Sequence, residues 1–232
     1  MTTHPEPQTP PRSPLTAGQV LRAAVRLADR DGIEAVTMRG LARDVGVEAM
    51  SLYHHVANKE AVLDGMVDVI VSEILDAVDD LDRPSPEDDW KAALRAQILA
   101  ARRVLLRHPW APAIIETRSN MSPSIIAYFE TVLATFRAGG FSWDLAHHAM
   151  HALGSRALGF TQELFEPDES GDDANLEALA QMADQLPNLV GMMQAVAHDD
   201  PDSTLGWCDD DAEFEFGLDL LLDGLQRLNA ST

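Results

Sequence analysis

Cysteine is nearly absent from this 232-residue chain. Cys208 stands alone, which excludes an internal disulfide framework and fits a reducing cytoplasm. With Asp209, Asp210 and Asp211 beside it and no basic neighbour, its thiol has nothing to make it reactive. No apolar run approaches the roughly 20 residues of a membrane span. The opening MTTHPEPQTPPRSP has no apolar segment either, so it does not read as a secretory signal. Lysine is scarce, with Lys59 and Lys91 set against fifteen arginines, a bias of base composition more than of chemistry. Runs of alternating Val, Ile and Thr are missing while Ala and Leu dominate, so the expected fold class is all-α. There is no Gly-rich phosphate loop, nucleophile elbow or Ser-His-Asp order. Catalysis therefore has no constellation to rest on, and neither catalytic residues nor a cofactor are expected.

Positive charge is also short overall. The net charge is −21, which by itself argues against a nucleic-acid partner. Its distribution qualifies that argument. Residues 1–60 hold seven Arg/Lys and seven Asp/Glu, so residues 61–232 carry the whole −21. An acidic body behind a neutral head repels DNA everywhere except at the head, which suppresses non-specific binding.

What is present is a sequence of well-signalled helices. Residues 1–14 contain five prolines and read as a disordered lead-in. Thr16 with Gln19 forms a capping box for a first helix, which Asp31-Gly32 ends. Thr37 is the N-cap of a second helix through Val45, and Gly46 turns the chain into a third over Glu48–Val56. Leu41, Ala42, Val45, Val47 and Leu52 supply an apolar seam between the last two. Beyond that seam stand Ala49, Met50, Ser51, Tyr53, His54 and His55, with Lys59 just after. Two short helices hinged at a glycine have the spacing of a helix-turn-helix, whose second helix enters the major groove.

Asn58 caps a long helix to about Asp80. Ser85-Pro86 opens a helix that reaches His108 and Pro109 stops, and residues 110–117 form a short one. Ser122-Pro123 opens another, to Gly139-Gly140, and Ser142 caps a helix rich in small residues ending near Phe165. Residues 166–173 are an acidic loop, followed by expected helices over 176–186 and 188–197. The last helix, 210–228, is apolar on more than one face. Its expected partner is a second copy of the chain, through helices 142–165 and 210–228 in a four-helix dimer interface; a core helix of a monomer is the alternative. The expected organisation is a lead-in at 1–14, a three-helix DNA-binding domain at 15–62, and a larger helical regulatory, ligand-binding and dimerisation domain at 63–232.

Residues 15–70 resemble the DNA-binding head of the TetR (tetracycline repressor) family. Gly32-Ile33, Thr37, Arg39, Leu41-Ala42, Val45-Gly46-Val47, Leu52-Tyr53, His55-Val56 and Asn58-Lys59 carry the resemblance. The body, in RRVLLRHPWAPAIIETR and FEFGLDLLLDGL, resembles the regulatory domain of the tetracycline-repressor branch. The resemblance implies an all-helical homodimeric repressor that binds a palindromic operator. A small-molecule effector entering the body would move residues 59–80 and misalign the heads. It also implies phosphate contacts from Thr37, Arg39, Tyr53 and Lys59, with Ser51 and His55 on the groove-facing helix. An N-cap threonine, two cations and a rigid phenol are groups that bind a DNA backbone.

The chain departs from the tetracycline repressor at Ala49-Met50, where that protein has Gln-Pro, and at His54, where it has Trp. Ala and Met touch thymine methyls but cannot hydrogen-bond base edges, so the operator sequence does not carry over. Ile114 stands where the metal-binding His would be, so a magnesium–tetracycline effector is not expected. Candidate effector contacts are Trp110, Thr117, Met121, Phe129, His147, Met150 and His151, each of a type that more often fills a core. His147 and His151 lie four apart on one helical face. With no third or fourth ligand at metal spacing, no metal site is expected. The rival reading is an acidic helical small-molecule-binding protein or enzyme whose head no longer binds DNA.

Overall fold

The computed structural model describes residues 15–118, 121–159, 185–188 and 210–231. The expected lead-in, the 166–173 loop and almost all of the helices expected over 176–197 lie outside these residues. The described residues form helices, without a strand among them. The chain's internal contacts gather into two units. The first comprises the described residues through Ala77 together with Val104–Tyr128, and the second Val78–Arg103 with the described residues from Phe129 onward. This is a division by contact, where the expectation above is a division by motif.

In the first unit, α1 spans Ala17–Asp31 and both halves of its capping box form. The Gln19 amide donates to Thr16 Oγ1 at 3.2 Å, and the Thr16 amide donates to Gln19 Oε1 at 2.9 Å. A 3-10 turn at Ile33–Ala35 leads to α2, Met38–Val45, then α3, Ala49–Leu52, and α4, Lys59–Asp79. Asn58 caps α4, its Oδ1 accepting from the Ala61 amide at 2.8 Å. Val20, Ala24, Leu27 and Ala28 of α1 are buried with Leu41, Ala42, Leu52, Val62, Met66 and Ile70. Burying a Leu or Ile side chain fully is worth about 2 kcal/mol, so this apolar set sets the orientation of the short helices. Gly65 leaves room for Leu21 of α1 against α4. A Cβ there would stand 2.5 Å from Leu21 Cδ2.

The same unit holds the last turn of α5 (Pro86–Arg107), all of α6 (Ala111–Thr117) and the first residues of α7 (Pro123–Ala138). Trp110 is buried, and its indole N–H donates to Asp29 Oδ1 at 2.7 Å. Arg118 donates to Glu60 Oε2 at 2.6 Å, and Ser124 hydrogen-bonds Asp68. The Glu60 bond and charge hold the Arg118 guanidinium above its ordinary pKa.

In the second unit the N-terminal part of α5 packs with the rest of α7, with α8 (Trp143–Gly159) and with α9 (Asp210–Ala230). The start of α5 differs from a simple Ser85 cap. Ser85 opens one turn, Asp89 leaves helical geometry at φ −151° and ψ 85°, and its own Oδ1 then accepts from the Ala92 amide at 2.9 Å. Asp89 thus caps the helix a second time, as a short acceptor side chain at a β-region residue does. Leu94, Ile98, Phe136, Phe141, Ala146, Ala149, Leu153, Phe214, Leu218, Leu222 and Leu225 form the core. Along its edge α9 presents Asp211, Glu215, Asp219 and Asp223 at four-residue spacing to Arg102, Arg95 and Lys91 of α5. Apart from the buried Arg102, these groups are partly solvated, and their pairs fix register more than stability.

Candidate nucleic-acid interface

The interface is built from α2, α3 and the first turn of α4. Thr37 sits in extended geometry, φ −121° and ψ 157°, and its Oγ1 accepts from the Gly40 amide at 2.9 Å. The cap satisfies one orphan N–H of the first turn and leaves the exposed end of α2 as a partly positive pole. At the other end Gly46 takes the left-handed conformation, φ 72° and ψ 39°. A side chain is strained there, and glycine is not. The Val47 amide closes the motif on the Ala42 carbonyl at 3.0 Å. Beyond that turn α3 packs back on the seam, with Leu52 buried like Leu41.

The recognition helix is shorter than its sequence pattern. Regular α geometry covers only Ala49–Leu52, and Glu48 makes no side-chain cap. The chain then tightens into a turn, with His55 donating to Leu52 O at 2.8 Å and Val56 to the same oxygen at 2.9 Å. Leu52 and Val56, four residues apart, are both buried, so the turn keeps them on one side although regular helix ends at Leu52. On the outward side Met50, Tyr53 and His54 are all exposed.

Of the nine sequence-predicted contact residues, Thr37, Arg39, Met50, Tyr53, His54 and Lys59 are exposed, and Ala49, Ser51 and His55 half-buried. Met50 is 73% exposed and Tyr53 46%, so both side chains are open to a partner. Among the described residues Arg39 and Lys59 enter no ion pair, whereas Arg30 is committed to Asp31 and Asp44 and Arg118 to Glu60 and Asp64. Arg39 on α2 and Lys59 at the start of α4, the helices on either side of α3, are thus left uncommitted. Sequence reasoning did not find the Arg30–Asp44 pair at 2.9 Å, which ties α1 to α2. Fourteen residues separate the two, and no local pattern signals the pairing.

The body candidates divide between the units. In the first, Trp110 spends its N–H on Asp29, Thr117 is exposed with its hydroxyl donating to Ile114 O at 2.7 Å, and Met121 is exposed. In the second, Phe129 is partly exposed on α7, and His147 and His151 are exposed on α8 with ring centroids 4.7 Å apart. Met150 packs half-buried on the core. Among the described residues no three His, Cys, Asp or Glu side chains gather as metal ligands. A cleft of about 350 Å³ in the second unit has Arg83, Gln97, Thr131 and Thr135 among its lining residues, and none of the seven candidates. Gln97 and Thr135 are buried polar groups 3.2 Å apart; a lone Gln and Thr on helical faces carry no sequence signal.

Two family descriptions match this geometry. Residues 20–66 match "Bacterial regulatory proteins, tetR family", and residues 83–228 match "Tetracyclin repressor-like, C-terminal domain". The chain belongs to the TetR family. It is similar to the HTH-type transcriptional repressor DrrR1 of Streptomyces coeruleorubidus, 30% identical over 97% of this chain and 82% of that one. An HTH-type transcriptional regulator of Saccharopolyspora erythraea is 39% identical over 137 residues, 59% of this chain and 56% of its own length. Among solved structures, the TetR-family protein ActR of Streptomyces coelicolor in complex with (S)-DNPA superposes with a TM-score of 0.72 at 25% identity. That match covers 93% of this chain and 98% of ActR. A chain of the TetR family is a transcriptional regulator of the ligand-responsive kind and not an enzyme. No helix among the described residues is long and apolar enough to cross a membrane.

Proposed function

We propose that this chain is a ligand-responsive repressor that binds a palindromic operator as a cytoplasmic homodimer and releases it when a small molecule enters the helical body. One observation carries the reading: α3, after the Gly46 turn, exposes Met50 and Tyr53, and the flanking helices α2 and α4 expose the uncommitted cations Arg39 and Lys59. Thr37, Arg39, Tyr53 and Lys59 are the backbone contacts that position the head. Ala49, Met50, Ser51, His54 and His55 form the face that meets base edges. With Ala and Met at its start, that face reads thymine methyls and groove shape more than hydrogen-bonding edges.

Dimerisation is assigned to α8 and α9. Besides its buried face, α9 holds Phe216 at 64%, Leu220 at 56% and Leu228 at 56% exposure, and α8 holds Trp143 at 66%. An apolar second face of this size supports an interface with another copy. Effector contacts are proposed for Phe129, His147, Met150 and His151 in the second unit and for Thr117 and Met121 in the first. Trp110, its donor already used, offers only ring surface. The complex of ActR with (S)-DNPA supports reception of a small molecule by this architecture.

Selection from a pool of random duplexes tests the reading. The expected outcome is a palindrome with half-sites one helical turn, or a multiple of it, apart. Arg39→Ala and Tyr53→Ala should weaken binding to that duplex without changing the mass of the assembly. Absence of enrichment at low salt would favour an acidic small-molecule-binding protein whose head no longer reads DNA.

A further inference from the structure

The first unit contains a polar junction that the DNA contacts do not use. Near its end α1 places two adjacent residues in different directions. Arg30 reaches α2, donating to Asp44 at 2.9 Å. Asp29 reaches the turn between α5 and α6, where a single oxygen, Oδ1, accepts from the Trp110 indole N–H at 2.7 Å and from His108 Nδ1 at 2.8 Å. His108 is buried, and its other nitrogen, Nε2, stands 3.2 Å from Glu73 Oε2 of α4. Arg107 stands 3.5 Å from the same Glu73 oxygen. One imidazole therefore touches a carboxylate on each of the two helices that flank the helix-turn-helix.

Apolar packing alone permits one helix to roll or slide against another at little cost, because dispersion and burial are not directional. Two ring donors converging on one oxygen atom are directional. The Trp110 and His108 rings stand edge to face with centroids 6.1 Å apart, so the two donors hold each other's aim. Asp29 then fixes the rotation of α1, and Arg30 transfers that rotation to α2 and, through the Gly46 turn, to α3.

We propose that Asp29 is a positioning residue for operator binding, holding α1 through the ring N–H groups of Trp110 and His108 in the attitude that lets Thr37, Arg39 and Lys59 reach phosphates together. The proposal rests on the reading that the head binds an operator. It makes the 108–110 turn a part of the DNA-binding machinery that lies outside the helix-turn-helix motif in sequence. A head freed from this junction samples orientations in which fewer contacts are made at once. Observed affinity falls by the fraction of time the competent orientation is populated. The phosphate contacts in the bound state are unchanged, so the salt dependence is unchanged.

The experiment uses the full-length protein and the duplex that the parent enriches from a random pool, with affinity read by fluorescence anisotropy across a salt series. Trp110→Phe keeps the apolar ring and deletes the donor; Asp29→Ala deletes the acceptor. Asp29→Ala is expected to weaken binding about tenfold and Trp110→Phe, which leaves the His108 bond, by less, and the double variant no further than Asp29→Ala alone, since that variant already removes the Trp110 bond. The slope of log affinity against log salt should match the parent's, while Arg39→Ala, a phosphate contact, should lower it by about one. Asp29→Asn, which retains Oδ1 as an acceptor, should restore most of the affinity lost in Asp29→Ala. Thermal unfolding and the active fraction of each variant separate positioning from loss of fold. Single variants that bind like the parent, or additive losses, or a lowered salt slope, would overturn the proposal while leaving operator binding intact. If the parent enriches no duplex, operator binding itself is refuted, and the role of Asp29 with it.

Discussion

Thr37 holds two jobs that one substitution can separate. Its Oγ1 caps α2 on the Gly40 amide at 2.9 Å, its carbonyl accepts from the Leu41 amide at 2.8 Å, and its side chain is exposed. Aspartate is as good an N-cap as threonine, and its charge at a helix N-terminus adds about 0.3–1 kcal/mol. Thr37→Asp should therefore leave the head as stable as the parent or slightly more so in urea unfolding. On DNA the same charge faces a phosphate. At about 6 Å and an effective dielectric constant of about 20 the repulsion is about 3 kcal/mol, which is about a hundredfold in affinity. Screening by salt reduces this, so a loss of at least about tenfold is expected near 100 mM salt. Thr37→Ser keeps cap and hydroxyl and should bind like the parent, while Thr37→Ala should lose about 1 kcal/mol of stability. The assay is anisotropy on the enriched duplex alongside urea unfolding of each variant. If Thr37→Asp binds within threefold of the parent, the end of α2 does not face the DNA backbone and the assignment of Thr37 is wrong.

Other substitutions probe the body. Arg102 has a side chain only 6% exposed, bonded to an Asp211 that is 73% exposed, and its guanidinium lies over the Phe214 ring at 4.5 Å. Arg102→Ala should cost about 2 kcal/mol in urea unfolding, from two buried methylenes at about 0.8 each and a cation–π contact of about 0.5–1. Asp211→Ala should cost less than about 1 kcal/mol. Burial pushes the Tyr128 phenol up to about 12 from its ordinary 10.0. The unfolded phenol ionises first, so stability is intact below pH 10 and falls as pH rises towards 12, by about 2 kcal/mol. Tyr128→Phe should abolish that alkaline loss in pH-dependent denaturation. A hydrogen bond and charge from Lys91 hold the Asp223 carboxyl below its ordinary 3.8. The stability this adds is present above that value and lost as pH falls through the lower folded pKa, and Lys91→Met should flatten the acid limb of the same titration. Phe216→Asp with Leu220→Asp should halve the sedimenting mass while leaving helicity unchanged; an unchanged mass would move the interface off this face of α9.

The helices with local start signals were legible in the sequence. Thr16, Thr37, Asn58, Ser85 and Ser142 each cap the helix expected of them, because an N-cap acts on an amide three residues away. Glycine at position 46 was likewise readable, as the residue that tolerates the left-handed turn a helix-turn-helix requires. The length of α3 was not. Glu48–Val56 has helical spacing throughout, but the chain leaves regular helix after Leu52, and no Gly or Pro at 53–56 marks that stop in the sequence. Trp110 reads from sequence as a large aromatic available to an effector; in the fold its N–H belongs to Asp29, eighty-one residues away. Long-range side-chain pairings of this kind leave no periodic trace. The exposed candidates His147 and His151 illustrate the converse, since helical spacing predicted their common face and could not say what that face meets.

The contact grouping of the first unit bears on how the protein is made. That unit leaves its own core at Ala77 and is completed only by Val104–Tyr128. A ribosome adding about 5–20 residues per second releases the helix-turn-helix well before the turn that grips α1 has been synthesised. Until then the nascent head has its recognition helix but lacks Trp110, His108 and Arg118, and the closing contacts span sequence separations of 58 to 81 residues. Such non-local closure is slow relative to helix formation. A partly made chain is thus expected to carry a loosely held head during translation, and to acquire full grip on DNA late in its own synthesis.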